Sequence, residues 1–285
     1  MTLGAASLVV GAAGWRIDRQ PGPDLAAYLR GRPVDEVASL LPRLFNLCRM
    51  AQASAARLTL GLPMTGEDPS TEVIGDHMAR LLVTLRRAFG LAPMVPPPAL
   101  FGFASQMPRD LAGLQDWLSQ DTPLAHLGRT IQSEFPVALG VTPALPEPKA
   151  QLLAVENSPA GRQVAHPLMQ ALAATQGRSP LWRYIGVLID LQAALAGALP
   201  PPQLLPDGTA KVQAARGSYF LLITQTAGLV TGLTRITPTD HQLATGGALE
   251  LALRHLPANR PDLAARLVAL FDPCIPVTVP EAHHA

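Results

Sequence analysis

The chain has 285 residues, of which 48% are hydrophobic and 15% are charged, and its net charge is +1. A chain this apolar and weakly charged folds instead of staying disordered, and it lacks the basic excess of nucleic-acid-binding proteins. The length fits one large domain or two small ones. We expect a single domain over residues 1–285, with Pro-rich internal connectors at 93–98, 141–148 and 200–206.

The apolar segments do not have the pattern of targeting or membrane sequences. Residues 1–15 are apolar, but no basic residues precede their apolar centre, so we interpret them as a buried strand and not as a signal peptide. Residues 181–199 come closest to the roughly twenty apolar residues of a membrane span, and Arg183 and Asp190 interrupt them. We therefore expect a cytoplasmic protein that does not bind a membrane.

Hydrophobic spacing predicts a chain that is mainly helical. Residues 7–17 predict a strand or a small hairpin, with Gly11 and Gly14 as turn points. In the long helical pattern at 34–60, Pro42 marks either a kink or a new first turn. The predicted helices cover 24–30, 34–60, 71–89, 109–120, 123–134, 181–198, 247–256 and 261–270.

Beyond residue 216 the pattern changes from helix to strand. Residues 217–226 and 229–237 are rich in β-branched and aromatic residues, and Ala227-Gly228 separates them. This arrangement predicts a β-hairpin. The expected fold class is therefore α+β, mainly helical, with a small antiparallel β-sheet.

The two cysteines of the chain, Cys48 and Cys274, lie near its opposite ends. Two cysteines are too few for a disulfide framework, and a single free cysteine usually packs as a small apolar residue. Each of these, however, lies in a segment that looks like half of a metal-binding motif. Arg43 precedes the first cysteine by five residues, and Asp272-Pro273 directly precedes the second.

The first segment resembles a metal-binding motif of the large subunit of nickel–iron hydrogenases. That motif is Arg-x-Cys-x-x-Cys-x-x-x-His. Arg43 and Cys48 match its Arg and its second Cys, whereas Phe45 stands at the first Cys and Gln52 at the His. The segment therefore keeps half of the thiolates of that motif.

The second segment resembles the C-terminal motif of the same subunit, Asp-Pro-Cys-x-x-Cys-x-x-His. Asp272, Pro273 and Cys274 match its beginning, whereas Val277 replaces the last Cys and Pro280 the His. Again one of two thiolates remains.

A third resemblance lies between the two cysteines. Arg216-Gly217 matches the Arg-Gly of a Glu-x-x-Arg-Gly segment that runs into a hairpin in the same family. The hairpin of that family ends in Val-Pro-Thr or a similar sequence, and residues 237–239 of this chain read Thr-Pro-Thr. We expect Arg216 to point at the gap between the helix that carries Cys48 and the segment that carries Cys274.

Loss of some metal ligands from a shortened large subunit is typical of the HupK/HoxV-type hydrogenase assembly proteins, which this chain resembles. The resemblance implies a scaffold without catalytic activity, which holds iron as Fe(CN)2(CO) transiently, takes no nickel, and passes the iron to the hydrogenase large subunit. It implies Cys48 and Cys274 as metal ligands, and Arg216 and Arg43 as cargo-binding residues. Arg216 is expected to donate hydrogen bonds to cyanide and to favour the thiolates.

The implied partners are the hydrogenase large subunit and small hydrogenase maturation chaperones, without nucleic acid. The residues by themselves leave two other functions open. The chain could be a metal-free chaperone that mimics the large subunit, or a thiol-redox protein in which Cys48 and Cys274 form a reversible disulfide. The sequence has no Walker loop, nucleophile elbow or His-Glu-x-x-His motif, which disfavours an ordinary hydrolase or nucleotide enzyme. His77 is expected at a helix surface or core edge.

Overall fold

The structure is a computed structural model, and it describes residues 4–12, 14–45, 47–64, 66, 68–95 and 107–280. Many of its helices begin at a side-chain cap, as at Asp24, Thr122 and Ser179, which accept a hydrogen bond from a backbone N–H of the first turn. The helices are α1 (Leu25–Leu29), α2 (Val34–Leu44), α3 (Arg49–Leu60), α4 (Pro69–Ala79), α5 (Leu85–Ala88), α6 (Leu111–Ser119), α7 (Pro123–Glu134), α8 (Pro159–Arg162), α9 (Pro167–Gln176), α10 (Pro180–Leu195), α11 (Pro238–Gln242), α12 (Ala248–Leu253) and α13 (Pro261–Phe271). A π-helical turn, Arg80–Thr84, joins α4 to α5.

Two small sheets accompany the helices. Their strands are β1 (Gly4–Gly11), β2 (Gly14–Pro21), β3 (Gln203–Leu204), β4 (Ala210–Ala214), β5 (Gly217–Thr226), β6 (Leu229–Ile236) and β7 (Val277–Thr278). One sheet has the order β2-β1-β7, and the other is an antiparallel sheet of order β3-β4-β5-β6. The predicted α+β class, the N-terminal hairpin and the hairpin after residue 216 are confirmed, whereas β3, β4 and β7 were not predicted.

Strand β7 joins the two ends of the chain. It pairs in parallel with β1, with Ala6 opposite Val277, and the backbone N–H of Ala6 donates to the carbonyl of Pro276 at 2.9 Å. On the other side β1 pairs with β2, whose Trp15 donates its indole N–H to the carbonyl of Pro257 at 3.1 Å. The residues after Cys274 are thereby held against the N-terminal hairpin.

The long helix predicted at 34–60 is two helices. The chain stays helical through Pro42 and breaks later, where Phe45 is extended and Cys48 adopts a left-handed conformation with φ of 56°. A residue in that conformation cannot continue a right-handed helix, so α3 begins only after it. The interpretation of Pro42 as a new first turn is therefore wrong, because Pro42 lies inside α2. Cys48, which was expected on a helix, is the residue directly before the first turn of α3.

The main core surrounds α10, which is buried over most of its length. Its Asp190 accepts hydrogen bonds from Arg162 at 2.8 and 2.6 Å, from Gln163 at 2.7 Å, and shares one with His77 at 2.7 Å. Burial lowers the pKa of His77, which is 1% exposed and therefore a core histidine, not the helix-surface or core-edge residue expected from the sequence. This buried network fixes α4 against α10.

A second core lies between the four-stranded sheet and helices α1, α2 and α3. It includes Leu29, Leu41, Ala55 and Leu221, all fully buried. Among the described residues, no helix is both long enough and apolar enough to cross a bilayer.

The Pro-rich segments have different structures. Residues 141–148 form neither helix nor strand apart from an isolated bridge, as expected for a connector. Residues 200–206 contain the short strand β3. Of the connector predicted at 93–98, residues 96–98 lie outside the described residues.

Packing of α10 against α8 predicts the effect of one substitution. A Cβ atom at Gly186 would overlap Ala160, so Gly186→Ala must separate two helices at the Asp190 network. We expect a loss of about 1–3 kcal/mol of unfolding free energy, measured by urea titration.

Gly75 offers the matched control, because it lies in α4 with open space around the position of a Cβ. Gly75→Ala should be neutral or stabilise by about 0.5–1 kcal/mol, since alanine loses less backbone entropy in a helix. Equal effects of the two substitutions would contradict the packing assigned to Gly186.

Candidate functional site

Cys48 lies at the N-terminus of α3, in the short connection from α2. Helix α4 holds this end of α3, because Glu72 accepts backbone hydrogen bonds from Met50 at 3.1 Å and from Ala51 at 3.4 Å. Gln52 donates its side-chain N–H to the carbonyl of Leu47 at 2.9 Å and closes the turn. The left-handed backbone of Cys48 is thus enclosed by two side-chain caps.

Cys274 lies three residues after the end of α13. Asp272 ends that helix in a left-handed conformation with φ of 51°. The backbone N–H of Cys274 donates to the hydroxyl of Thr239 at 2.8 Å. Thr239 is fixed at the start of α11 by a capping box between Thr237 and Asp240. The Thr-Pro-Thr segment therefore positions the second cysteine.

One cavity of about 600 Å³ contains both cysteines in its wall, and Arg43 and Arg216 also line it. The two cysteines, both free and partly buried, therefore line the same cavity although they lie near opposite ends of the chain. Arg216 lies at the gap, with its Nη1 4.0 Å from the sulfur of Cys48. Within the described ranges, no group of three or more His, Cys, Asp and Glu side chains has the arrangement of a metal site.

Arg216 is held by acidic side chains that the sequence did not single out as partners. Its Nη1 lies 3.2 Å from Asp76 of α4, and its Nη2 lies 3.1 Å from the carboxylate of Asp272. Its Nε also donates to the backbone carbonyl of Asp272 at 2.9 Å. Burial opposes the charge of Arg216, but these carboxylates hold its pKa above the ordinary value.

The Cys48 thiol is protonated in the free protein. Burial raises its pKa to about 12, which outweighs the opposing effect of Arg216, and Cys274 raises it further. Arg216 thus acts in the expected direction, but it does not suffice to make a thiolate. A metal ion that binds Cys48 has to displace this proton.

The cavity wall is rich in positive charge. Arg19, Arg43 and Arg235 line it in addition to Arg216, whereas Asp240 is its acidic residue and pairs with Arg19 at 2.9 Å. Arg43 is exposed, and neither Arg43 nor Arg235 makes an ion pair or side-chain hydrogen bond within the part of the chain that the structure describes. The cavity is therefore suited to an anionic ligand.

Among the described residues of the cavity wall, two buried polar atoms have no hydrogen-bond partner. They are the hydroxyl of Tyr219 and the side-chain carbonyl of Gln52, whose residues are each 2% exposed. A buried polar group without a partner is costly, so a bound ligand that bonds to it gains affinity. The residues missed from the sequence are Asp76, Tyr219 and Arg235, because no motif marks them.

One relative of this chain is a protein from Rhodobacter capsulatus named "Hydrogenase expression/formation protein HupK". It is 44% identical to this chain over 271 residues, which are 92% of this chain and 91% of the relative. No model of a known protein family matches the chain.

Solved structures of nickel–iron–selenium hydrogenases have a similar fold. The protein from D. vulgaris Hildenborough aligns with a TM-score of 0.57 and 14% identity over 94% of this chain and 95% of its own. The protein from Desulfomicrobium baculatum aligns with a TM-score of 0.58 and 13% identity, over 94% and 95% of the two chains. At this identity the likeness shows the fold alone, which is that of a hydrogenase large subunit.

The environment of Cys48 predicts slow alkylation. In the Cys274→Ser variant of the free protein, iodoacetamide at about pH 8 should modify Cys48 at least about a hundredfold more slowly than in the urea-unfolded chain, because little thiolate is present. Mass spectrometry of timed samples measures the rate.

The pH dependence separates a high pKa from simple shielding. The rate in the folded variant should still rise above pH 9.0, the ordinary value for a thiol, because burial moves the titration toward about 12. A rate that levels off near the ordinary value would contradict this account.

Proposed function

Because this chain belongs to the HupK family of hydrogenase expression/formation proteins, we propose that it is a non-catalytic scaffold in nickel–iron hydrogenase maturation. Its proposed cargo is iron as Fe(CN)2(CO), held transiently by Cys48 and Cys274 and then transferred to the hydrogenase large subunit. The observation that carries the proposal is that the two cysteines line one positively charged cavity although they lie near opposite ends of the chain.

The chemistry of the donors fits this cargo. Thiolates are soft ligands, suited to low-spin iron that carries cyanide and carbon monoxide. Two thiolates leave the iron with open or exchangeable positions, so the site releases the fragment more readily than a closed set of four would. The cavity of about 600 Å³ is large enough for the fragment and for part of a partner protein.

The residues present do not form the four-thiolate nickel site of a hydrogenase. Two of the four cysteines of the hydrogenase motifs are replaced here, by Phe45 and Val277. Phe45 is buried in the second core, and Val277 is paired with β1. The scaffold is therefore proposed to take iron without nickel, and not to split hydrogen.

Loading requires loss of a proton from Cys48, because its thiol is protonated in the free protein. Arg216 donates toward the sulfur across 4.0 Å and stabilises the resulting negative charge. Asp76 and Asp272 keep the guanidinium in this position. We propose small hydrogenase maturation chaperones as the donors of the cargo and the cytoplasm as the compartment.

Infrared spectroscopy tests the scaffold directly. The protein, purified without oxygen from cells that make the maturation proteins, should show cyanide and carbonyl stretching bands. Cys48→Ser and Cys274→Ser should each lose most of the band intensity, because one thiolate holds the fragment too weakly.

The matched control is Met64→Ser, which removes a sulfur atom from an exposed side chain outside the cavity. It should keep the bands. Intact protein without bands, together with serine variants that still support hydrogenase maturation, would favour the metal-free chaperone. A Cys48–Cys274 disulfide formed under mild oxidation would favour the redox function.

A further inference from the structure

Arg216 has little capacity left for a cargo. Four of its five N–H groups point at Asp272, Asp76 and the sulfur of Cys48. A donor that already has these acceptors gains little from another hydrogen bond. The anionic ligands of a cargo need donors elsewhere in the same cavity.

Arg235 of β6 is such a donor. It lines the cavity and is half-buried, and its guanidinium carbon lies 4.4 Å from the centre of the Phe45 ring. Stacking on the ring restrains the guanidinium but leaves its N–H groups free. Phe45 occupies the position where the hydrogenase motif has a cysteine, so this chain has an aromatic support for a cation in place of a metal ligand.

Tyr219 provides a second donor beside Arg235. Tyr219 lines the cavity, and its buried hydroxyl has no hydrogen-bond partner in the part of the chain that the structure describes. The charge of Arg235 acts on this hydroxyl. Tyr219 and Arg235 lie on the adjacent strands β5 and β6, so the sheet fixes their spacing. Both residues therefore belong to the same stretch of the cavity wall.

We propose that Arg235, supported by Phe45, and the hydroxyl of Tyr219 form a binding subsite for linear anionic ligands with a terminal nitrogen. This inference rests on the proposed function, in which the ligands are the cyanides of the iron fragment. Iron(II) with two cyanides is neutral, and two thiolates add two negative charges. Arg235 and Arg43, neither of which has an acidic partner in the described chain, offset those two charges.

Thiocyanate is the probe for the free protein, because it is a linear anion that ends in nitrogen. Calorimetric titration at constant ionic strength should show saturable binding to the natural protein. Arg235→Met should weaken it at least about tenfold, because a charge-assisted hydrogen bond is lost. Arg30→Met, at an exposed arginine outside the cavity, is the control and should bind as the natural protein does.

Tyr219→Phe keeps the proposal testable if Arg235→Met folds poorly. It removes a hydroxyl that has no hydrogen-bond partner among the residues described, so thermal stability should be kept or improved. Thiocyanate binding should nevertheless weaken several-fold. No saturable binding by the natural protein, or equal binding by it and both variants, would overturn the subsite.

The loaded protein distinguishes this inference from the scaffold itself. Arg235→Met should keep the infrared bands, since both thiols remain, but should shift the cyanide bands more than the carbonyl band. Unshifted bands in this variant would overturn the subsite and leave the scaffold intact. Absence of bands from the natural protein would refute the scaffold, and thiocyanate binding would still decide the subsite.

Discussion

The ion pairs of Arg216 with Asp76 and Asp272 join three parts of the chain that are remote in sequence. Arg216 lies in the turn between β4 and β5, and the two carboxylates come from α4 and from the end of α13. Removal of Arg216 would leave two partly buried carboxylates without their counter-charge, which is unfavourable because a buried unpaired charge is poorly solvated. The arrangement of both cysteines around one cavity depends on this junction.

Helix α4 connects this junction to the buried core and to the N-terminus of α3, where Cys48 lies. Glu72 and Asp76 are four residues apart and share one face, where Glu72 caps α3 and Asp76 pairs with Arg216. The next residue, His77, faces the core and bonds to Asp190 at 2.7 Å. Helix α4 therefore links the loop of Cys48 to the buried hydrogen-bond network around Asp190.

The cavity combines features that fit transient binding better than permanent binding. Its thiol at Cys48 is protonated, because burial raises the pKa to about 12, so a metal has to compete with a proton there. Its positive charge on Arg43 and Arg235 attracts negatively charged groups without covalent bonds. The proposed cargo, held partly by hydrogen bonds and charge, can therefore be released when a partner protein displaces it.

The sequence by itself predicted the fold class, most of the helices and both hairpins, because periodicity and turn residues are local signals. Resemblance to the hydrogenase motifs singled out Cys48, Cys274, Arg43 and Arg216, all of which line one cavity in the structure. Only the tertiary structure decided that β7 pairs with β1, that Asp76 holds Arg216, and that the Tyr219 hydroxyl has no hydrogen-bond partner among the described residues. These features arise from contacts between distant segments. The break at Cys48 likewise depends on its left-handed backbone and on Glu72 of another helix, so the propensity of 34–60 alone could not reveal it.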